Sequence, residues 1–316
     1  MLITSTVGKI DLAIGRNEGA ILDYMMSQDE LAEQASILKA LYTVEKSKHY
    51  SETIGGMAGI SYMTPNSKEV PYSEFEETAD KTFTHVTYKN GVELNREMID
   101  DARIIDMKNR ANAAIVDSYH ATKNYHIVST FINAAATSHV WGGVTYDDSG
   151  ADGVALVSAS HLSETGKRTT LSNTVASAFS ESSLKSAENL FSLFQTESGL
   201  PAATVPTMLL YPYALSNTVQ ELVGSVGKLG TANNNKNTYQ SKYNLVCSNL
   251  LDHYGVTDKV FLISEAYMKK CLFWIERIPF EVASDIDFNT DNWRLKGYTR
   301  FSYGFTDWQW VVRIGA

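Results

Sequence analysis

The longest regular pattern in the chain is a helical repeat of apolar residues between Asn95 and Ala136. Apolar side chains recur there at steps of three and four residues, and no glycine or proline interrupts the stretch. Asn95 is a suitable N-cap, and a straight helix of this length would span ~60 Å. We therefore predict a spine helix over about 95–136, with one bend near Lys123 and Asn124.

Two segments before this helix lack a strong apolar face. Residues 1–48 are predicted to form an N-terminal arm, in which intermittent apolar positions indicate a helix over about 17–46. Residues 49–94 are punctuated by glycine and proline, and strand-like runs at 59–63 and 81–88 predict a two-stranded ribbon. Such a ribbon is marginally stable alone, so we expect it to lie on another surface, such as a second copy of the chain.

Beyond the spine helix the pattern indicates a mixture of helices and strands. An amphipathic helix is predicted over about 182–197, and the short apolar run 207–211 is typical of a buried strand. A third helix follows this strand as far as Leu222. Two further apolar runs follow, at 245–247 and 260–263.

The clearest strand pattern is the last one, from Trp293 to Phe305. Its aromatic and aliphatic residues alternate with a polar face that carries Arg294, Lys296 and Arg300. This basic face is either the solvated side of a sheet or a surface that meets carboxylates elsewhere. The candidate carboxylates lie in the ribbon and are Glu74, Glu76 and Glu77.

The composition is that of a globular, acidic chain. With 44% hydrophobic residues in 316, the chain can bury one large core or two smaller ones. A net charge of −9 excludes the electrostatic pattern of a protein that grips nucleic acid by its phosphates, although an acidic wall can still enclose DNA. Cys247 and Cys271 are too few and too distant for a disulfide framework or a CxxC metal site.

No stretch has the continuous apolar core of a signal peptide or the ~20 apolar residues of a membrane span. We therefore expect a protein that is made and used in the cytoplasm and has no membrane partner.

Two segments imitate ligand-binding motifs but depart from them at the residues that bind. Segment 224–231 resembles a phosphate-binding loop, yet Leu229 replaces the hydroxyl residue that binds Mg²⁺. Segment 285–296 resembles a calcium loop, yet Thr290 stands at the glycine position and Lys296 at that of the bidentate glutamate. The histidines form no HExxH motif, and a GxSxG elbow is absent. We predict no cofactor, no metal and no catalytic residue; a soluble oligomeric hydrolase with a dispersed site is the alternative from another class.

The order of these elements resembles the major capsid proteins of tailed bacteriophages, with the Hong Kong ninety-seven-type fold, and especially the Mu-like major head subunits. No single motif is diagnostic, but their order is. The segments that carry the resemblance are Pro206–Pro212 with the helix after it, Gly230–Asn235, Asp285–Asp291 and Arg300–Trp308.

The resemblance implies an α+β fold with a defined division of the chain. The expected parts are an N-terminal arm (1–48), an extended two-stranded loop (49–94), a peripheral domain with the spine helix (95–199), an axial domain (200–280) and a C-terminal strand that returns to the peripheral domain (281–316).

The resemblance also implies a structural shell protein that assembles as hexamers and pentamers into an icosahedral phage head around double-stranded DNA. The expected place is the virion capsid, assembled in the bacterial host cytoplasm. There is no room before the arm for a long scaffolding segment, so a separate scaffolding protein or a chain already in its mature form is expected. A portal and decoration proteins are expected as further partners. An encapsulin-like nanocompartment shell is the nearest alternative.

Charged residues are the candidates for contacts between subunits. Some members of the family crosslink a ribbon lysine to an asparagine of a neighbour; Lys68 lies near the ribbon tip, where a solvated turn lysine is the simpler interpretation. The full set of candidates is Lys68, Glu74, Glu76 and Glu77 in the ribbon, and Arg294, Lys296 and Arg300 in the last strand.

Overall fold

The computed structural model describes residues 37–60, 62–63, 65, 69–70, 72, 77–101, 104–227 and 236–315. The chain divides into two units. The smaller unit contains residues 86–124 and 278–300, and the larger contains residues 38–85, 125–277 and 301–315. The chain passes from one unit to the other within a helix and within two long strands.

Strands and helices alternate along the described residues. The strands are β1 (Thr43–Lys46), β2 (Ser51–Met57), β3 (Glu77–Thr84), β4 (Val86–Leu94), β5 (Ser138–Trp141), β6 (Val144–Asp147), β7 (Thr174–Val175), β8 (Met208–Pro212), β9 (Asn244–Ser248), β10 (Val260–Ile263), β11 (Leu272–Ile286), β12 (Trp293–Phe305) and β13 (Val311–Ile314). The α-helices are α1 (Leu38–Leu41), α2 (Arg96–Asp101), α3 (Ile104–Ile132), α4 (Glu181–Leu193), α5 (Ser216–Val219), α6 (Asn249–His253) and α7 (Glu265–Cys271). A 3₁₀ turn (Tyr213–Leu215) precedes α5, and a π-helical turn (Gln220–Gly224) follows it.

The smaller unit packs the first part of α3 against a sheet. Ala111 and Ile115 of α3 and Leu295 of β12 form its buried centre, with apolar residues of β4 and β11 around them. Gly297 lies beneath the helix, where a Cβ atom would be 2.8 Å from side-chain atoms of both Ile115 and Phe280. The glycine therefore sets how closely helix and strand approach each other.

The larger unit is built on a five-stranded sheet in the order β7-β13-β10-β8-β9. Every residue of β8 and β10 is buried, as the continuous apolar runs in these strands predict. Phe131 of α3 makes edge contacts with Phe261 of β10 and with Trp310, which precedes β13. Helix α4 buries Leu184 and Phe191, and a capping box at Ser180 begins it.

A four-stranded sheet has the order β1-β11-β12-β4. Strand β1 pairs in parallel with β11, from Thr43 opposite Phe273 to Lys46 opposite Glu276. The buried Tyr42 fixes the chain just before it, because its hydroxyl donates to the carbonyl of Ile127 at 2.9 Å. The predicted helix over 17–46 is therefore wrong at its end, where α1 stops at Leu41 and a strand follows; residues 17–36 lie outside the described chain.

The spine helix is confirmed as α2 and α3, separated by two residues that lie outside the described chain. Helix α3 stays helical through Lys123 and Asn124 and ends at Ile132, earlier than the predicted 136. It ends there because Asn133 turns back, and its side-chain amide donates to the carbonyl of Ser129 at 3.1 Å.

The last predicted strand is confirmed as β12, with Leu295, Phe301 and Phe305 buried and Arg294 and Lys296 exposed. The amphipathic helix over 182–197 is confirmed as α4, which ends four residues earlier, at Leu193. Among the described residues, no helix is long and apolar enough to span a membrane.

Candidate assembly surfaces

The ribbon consists of β2 and β3, which pair antiparallel from Ser51 opposite Thr84 to Met57 opposite Glu77. The predicted first strand at 59–63 is wrong, because the strand precedes it. Gly56 belongs to the strand and not to a turn: a Cβ atom there would be 2.1 Å from the hydroxyl oxygen of Thr78. Glycine is thus needed where the two ribbon strands approach most closely.

The end of the ribbon nearest β4, which we call the root (Lys81–His85), is anchored by a buried lysine. The side chain of Lys81 is 6% exposed, and its Nζ donates to Asp147 Oδ2 at 2.6 Å, with Ser149 Oγ at 3.4 Å. Burial raises the pKa of Asp147, but the hydrogen bonds from Lys81 and Ser149 outweigh it and hold that pKa below its ordinary value. The ammonium group therefore has a carboxylate partner on its own chain.

Two further root residues point the same way as Lys81. Phe83 is 3% exposed and meets the ring of Phe273 edge-on at 6.3 Å. His85 is also buried, and its Nδ1 lies 2.9 Å from Ser302 Oγ. The root is therefore packed on its own chain, and the expectation that the whole ribbon needs another surface is wrong for this end.

The opposite end of the ribbon, which we call the tip (residues 58–76), has large apolar side chains in solvent. Met63 and Tyr72 are 95% and 94% exposed. Others in the same segment are exposed as well: Ile60, Tyr62 and Val70. Clusters of exposed apolar residues of this kind mark contact surfaces.

The structure describes some of the charged residues that are predicted to contact other subunits, and others lie outside the described residues. Lys68, Glu74 and Glu76 lie outside the described residues. Glu77 is exposed at the start of β3, and Lys296 is exposed on β12. Arg300 is half-buried.

Arg294 already has carboxylate partners in its own unit. Its guanidinium donates to Asp287 Oδ2 at 2.5 Å and to Glu93 Oε1 at 3.2 Å. Hydrogen bonds from the Asn292 amide and from Arg294 hold the pKa of Glu93 below its ordinary value. The guanidinium of Arg294 therefore pairs with a carboxylate of the calcium-like loop. The described residues contain no group of three or more His, Cys, Asp and Glu side chains able to hold a metal.

A Ser-His-Asp arrangement that the sequence did not reveal lies beside α3. His139 Nδ1 donates to Asp148 Oδ2 at 2.5 Å, and its Nε2 is 3.4 Å from Ser129 Oγ. Ser129 is completely buried, and its hydroxyl oxygen accepts hydrogen bonds from Tyr303 and Asn133. A substrate cannot reach this oxygen, so the group braces the β5–β6 hairpin on α3 and does not support the hydrolase alternative.

A further buried histidine, His126, lies on α3. His126 Nδ1 lies 3.0 Å from the Tyr303 hydroxyl. Burial, with a smaller effect of His139, lowers the pKa of His126 to about 3. Burial likewise raises the pKa of Asp148, and its hydrogen bond from His139 offsets this only in part.

A family described as phage capsid protein matches residues 78–314, which is most of the chain. The chain belongs to the phage capsid protein family. No curated protein sequence matches this capsid protein.

Solved structures with the same fold are capsids. A chain from Mycobacterium phage Patience aligns with a TM-score of 0.58 at 12% identity, over 99% of this capsid protein and 90% of that chain. The capsid of Myoviridae phage XM1 aligns with a TM-score of 0.55 at 8% identity, over 89% and 92% of the two chains. The cyanophage Pam1 capsid aligns with a TM-score of 0.54 at 10% identity, over 88% and 91%.

The predicted family and fold class are therefore confirmed. This capsid protein has the α+β Hong Kong ninety-seven-type fold and is a structural shell protein of phage heads. Its place is the virion capsid, and its partners include copies of itself in a capsid lattice. The division into arm, peripheral and axial domains stays a prediction.

Proposed function

We propose that this capsid protein assembles as hexamers and pentamers into an icosahedral head around double-stranded DNA, with the ribbon tip of each copy laid on a neighbouring copy. The observation that carries the proposal is the contrast within the ribbon. The root is buried against its own chain, while Met63 and Tyr72 at the tip are almost fully exposed. The root holds the ribbon on its own chain, and the exposed apolar side chains of the tip would then be available to a second molecule.

The energetics of such a contact favour many copies over an isolated pair. Each apolar side chain removed from water contributes roughly 25 cal/mol per Å² buried. When only two molecules associate, the loss of their translational and rotational freedom offsets much of that gain. In a closed lattice every copy repeats the contact, so individually weak contacts give a stable shell.

Charges supply a second, weaker part of the proposal. Acidic residues of the ribbon would face the basic side of β12 on a neighbour. Because Arg294 is engaged by Glu93 and Asp287, Lys296 is the better candidate for such a contact. The residues in this proposal are Lys68, Glu74, Glu76, Glu77, Arg294, Lys296 and Arg300.

The remaining partners are inferred from the same resemblance to phage capsid proteins. A separate scaffolding protein, a portal and decoration proteins would complete the head, which would form in the host cytoplasm. The net charge of −9 supports a shell that encloses DNA, because mild repulsion keeps packed DNA from adhering to the protein wall. The proposed assembly uses no cofactor.

The experiment compares particle formation by the unmodified chain and by a tip variant. The variant replaces the exposed apolar residues of the tip by serine, namely Ile60, Tyr62, Met63, Val70 and Tyr72. We expect large closed particles, or rings of five or six, from the unmodified chain in negative-stain microscopy, and about tenfold fewer from the variant.

The matched control replaces Leu162 and Leu193, which are also exposed but lie outside the ribbon, by serine. Both variants should unfold at the same urea concentration as the unmodified chain. A chain that stays monomeric at high concentration, or a tip variant that assembles as well as the control, would contradict the proposal.

A further inference from the structure

The turn between β11 and β12 ends in an exposed aromatic side chain. Phe288 is 96% exposed and Ile286 is 59% exposed. Asp285 and Asp291 flank them and are exposed too. We call this acidic and apolar turn, residues 285–291, the hairpin knob.

Hydrogen bonds hold the knob in one shape. The amide of Asp287 donates to the carbonyl of Asn292 at 3.0 Å, and the amide of Asp291 donates to the carbonyl of Asp287 at 2.8 Å. The carboxylate of Asp287 accepts from the amide of Asn289 at 2.9 Å and from Arg294. A turn fixed in this way loses little conformational entropy when it binds, so Phe288 is a pre-organised anchor.

A surface of opposite charge lies at β1, the edge strand of the four-stranded sheet. Val44, Lys46, Lys48 and Tyr50 are all exposed, as are Glu45 and His49 between them, whereas Ser47 is buried. Neither lysine makes an ion pair within the part of the chain that the structure describes. We call residues 44, 46, 48 and 50 the basic stripe.

We propose that the hairpin knob of one copy docks on the basic stripe of another copy. The inference rests on the proposed function, because it assumes that copies of the chain meet in a shell. Phe288 would pack against Val44 and Tyr50, and the lysines would face Asp285, because Asp291 already pairs with Arg96 at 3.4 Å. Aromatic anchors beside complementary charges are the usual centres of protein interfaces.

The charges also fix the symmetry of the contact. Two knobs facing each other would bring aspartates together, and two stripes would bring lysines together, which is unfavourable. The contact must therefore join different surfaces of successive copies. Such head-to-tail contacts generate closed rings where the rotation between successive copies closes, as a shell made of capsomers needs.

The first test is a charge exchange followed by sedimentation of the assembled material. The stripe variant carries K46E and K48E, and the knob variant carries D285K. Each should lower the fraction of chain in particles about tenfold, because like charges then face each other. The variant with all three changes restores opposite charges and should recover most of the particles.

Two controls keep the charge exchange specific. Lys185→Glu reverses an exposed lysine of α4 and should assemble normally. Urea unfolding of every variant should match that of the unmodified chain, because the altered side chains are exposed. Normal assembly of the stripe and knob variants, or no recovery in the triple variant, would overturn the docking.

The second test detects the contact directly. One tagged chain carries F288C and a second carries Y50C, and both carry C247S because Cys247 is exposed. Mild oxidation of particles formed from both chains should give a mixed disulfide dimer, whereas particles from either chain alone should give none. Particles without the mixed disulfide would overturn the docking but leave the shell intact; an unmodified chain that forms no particles would contradict both proposals.

Discussion

The five-stranded sheet of the larger unit and the ribbon differ in where their side chains find partners. In the sheet, Leu209 and Leu262 have no exposed surface, and both faces are covered by the same chain. In the ribbon the root is covered by its own chain, whereas Tyr72 at the tip is 94% exposed. The sheet therefore contributes buried apolar contacts within one chain, whereas the exposed side chains of the tip make almost none.

The largest expected effect lies in the sheet. Leu262→Ala on β10 should destabilise the isolated chain by about 2–5 kcal/mol, because it leaves a cavity in a fully packed interior. Urea denaturation of the unassembled chain measures the loss. Leu193→Ala, at a 59% exposed position, is the control and should have little effect. Equal losses in both variants would contradict the assignment of the sheet as the stabilising centre.

The next effect is a loss of stability in acid through His126. Its pKa is about 3 in the folded chain and 6.5 in the unfolded chain, so only the unfolded chain takes up a proton between these values. Folding stability should therefore fall as the pH drops below 6.5, by up to ~1.4 kcal/mol per pH unit. Urea midpoints at pH 7, 5.5 and 4 measure the slope.

The control for that measurement is His126→Gln, which keeps a polar side chain but cannot be protonated in this range. It should give a shallower slope between pH 6.5 and 4. An unchanged slope would show that other groups cause the acid sensitivity.

The sequence predicted the elements whose pattern is local. Strand β12 was predicted at its true bounds because its alternation extends over the whole strand, and β8 was predicted because both its faces are apolar. Strand β11 was missed, because Pro279 and several charges break its pattern. Strand β2 was misplaced, because its glycines interrupt the strand pattern in the sequence although Gly56 lies within the strand.

The candidate surfaces were harder to predict, because they depend on distant partners. Lys81 is an ordinary strand lysine in the sequence, and its partner Asp147 is 66 residues away. Ser129, His139 and Asp148 share no catalytic motif, and only the fold joins them. The sequence likewise gives no local signal that Phe288 is exposed, since a phenylalanine within a polar turn is equally compatible with burial.

A smaller effect is expected at the ribbon root. Asp147→Ala leaves the buried ammonium of Lys81 with only Ser149 as a side-chain partner and should cost about 1–3 kcal/mol. Lys81→Met removes the charge and retains most of the volume, so it should cost less. Urea denaturation distinguishes the two. A larger loss for Lys81→Met would mean that packing of the lysine stem, and not charge pairing, anchors the root.

The smallest effect on the free energy of unfolding is expected at the tip. This prediction tests most directly the difference between the five-stranded sheet and the ribbon. Tyr72→Ser should change the free energy of unfolding of the unassembled chain by no more than about 0.5 kcal/mol, because the side chain has almost no contacts to lose. Phe83→Ser, in the same ribbon but buried at its root, should cost several times more. The two substitutions separate burial from ribbon membership, because both remove an aromatic ring from the same two-stranded element. A comparable loss from Tyr72→Ser would mean that the tip is already covered by its own chain, and the surface proposed for neighbouring copies would then not exist.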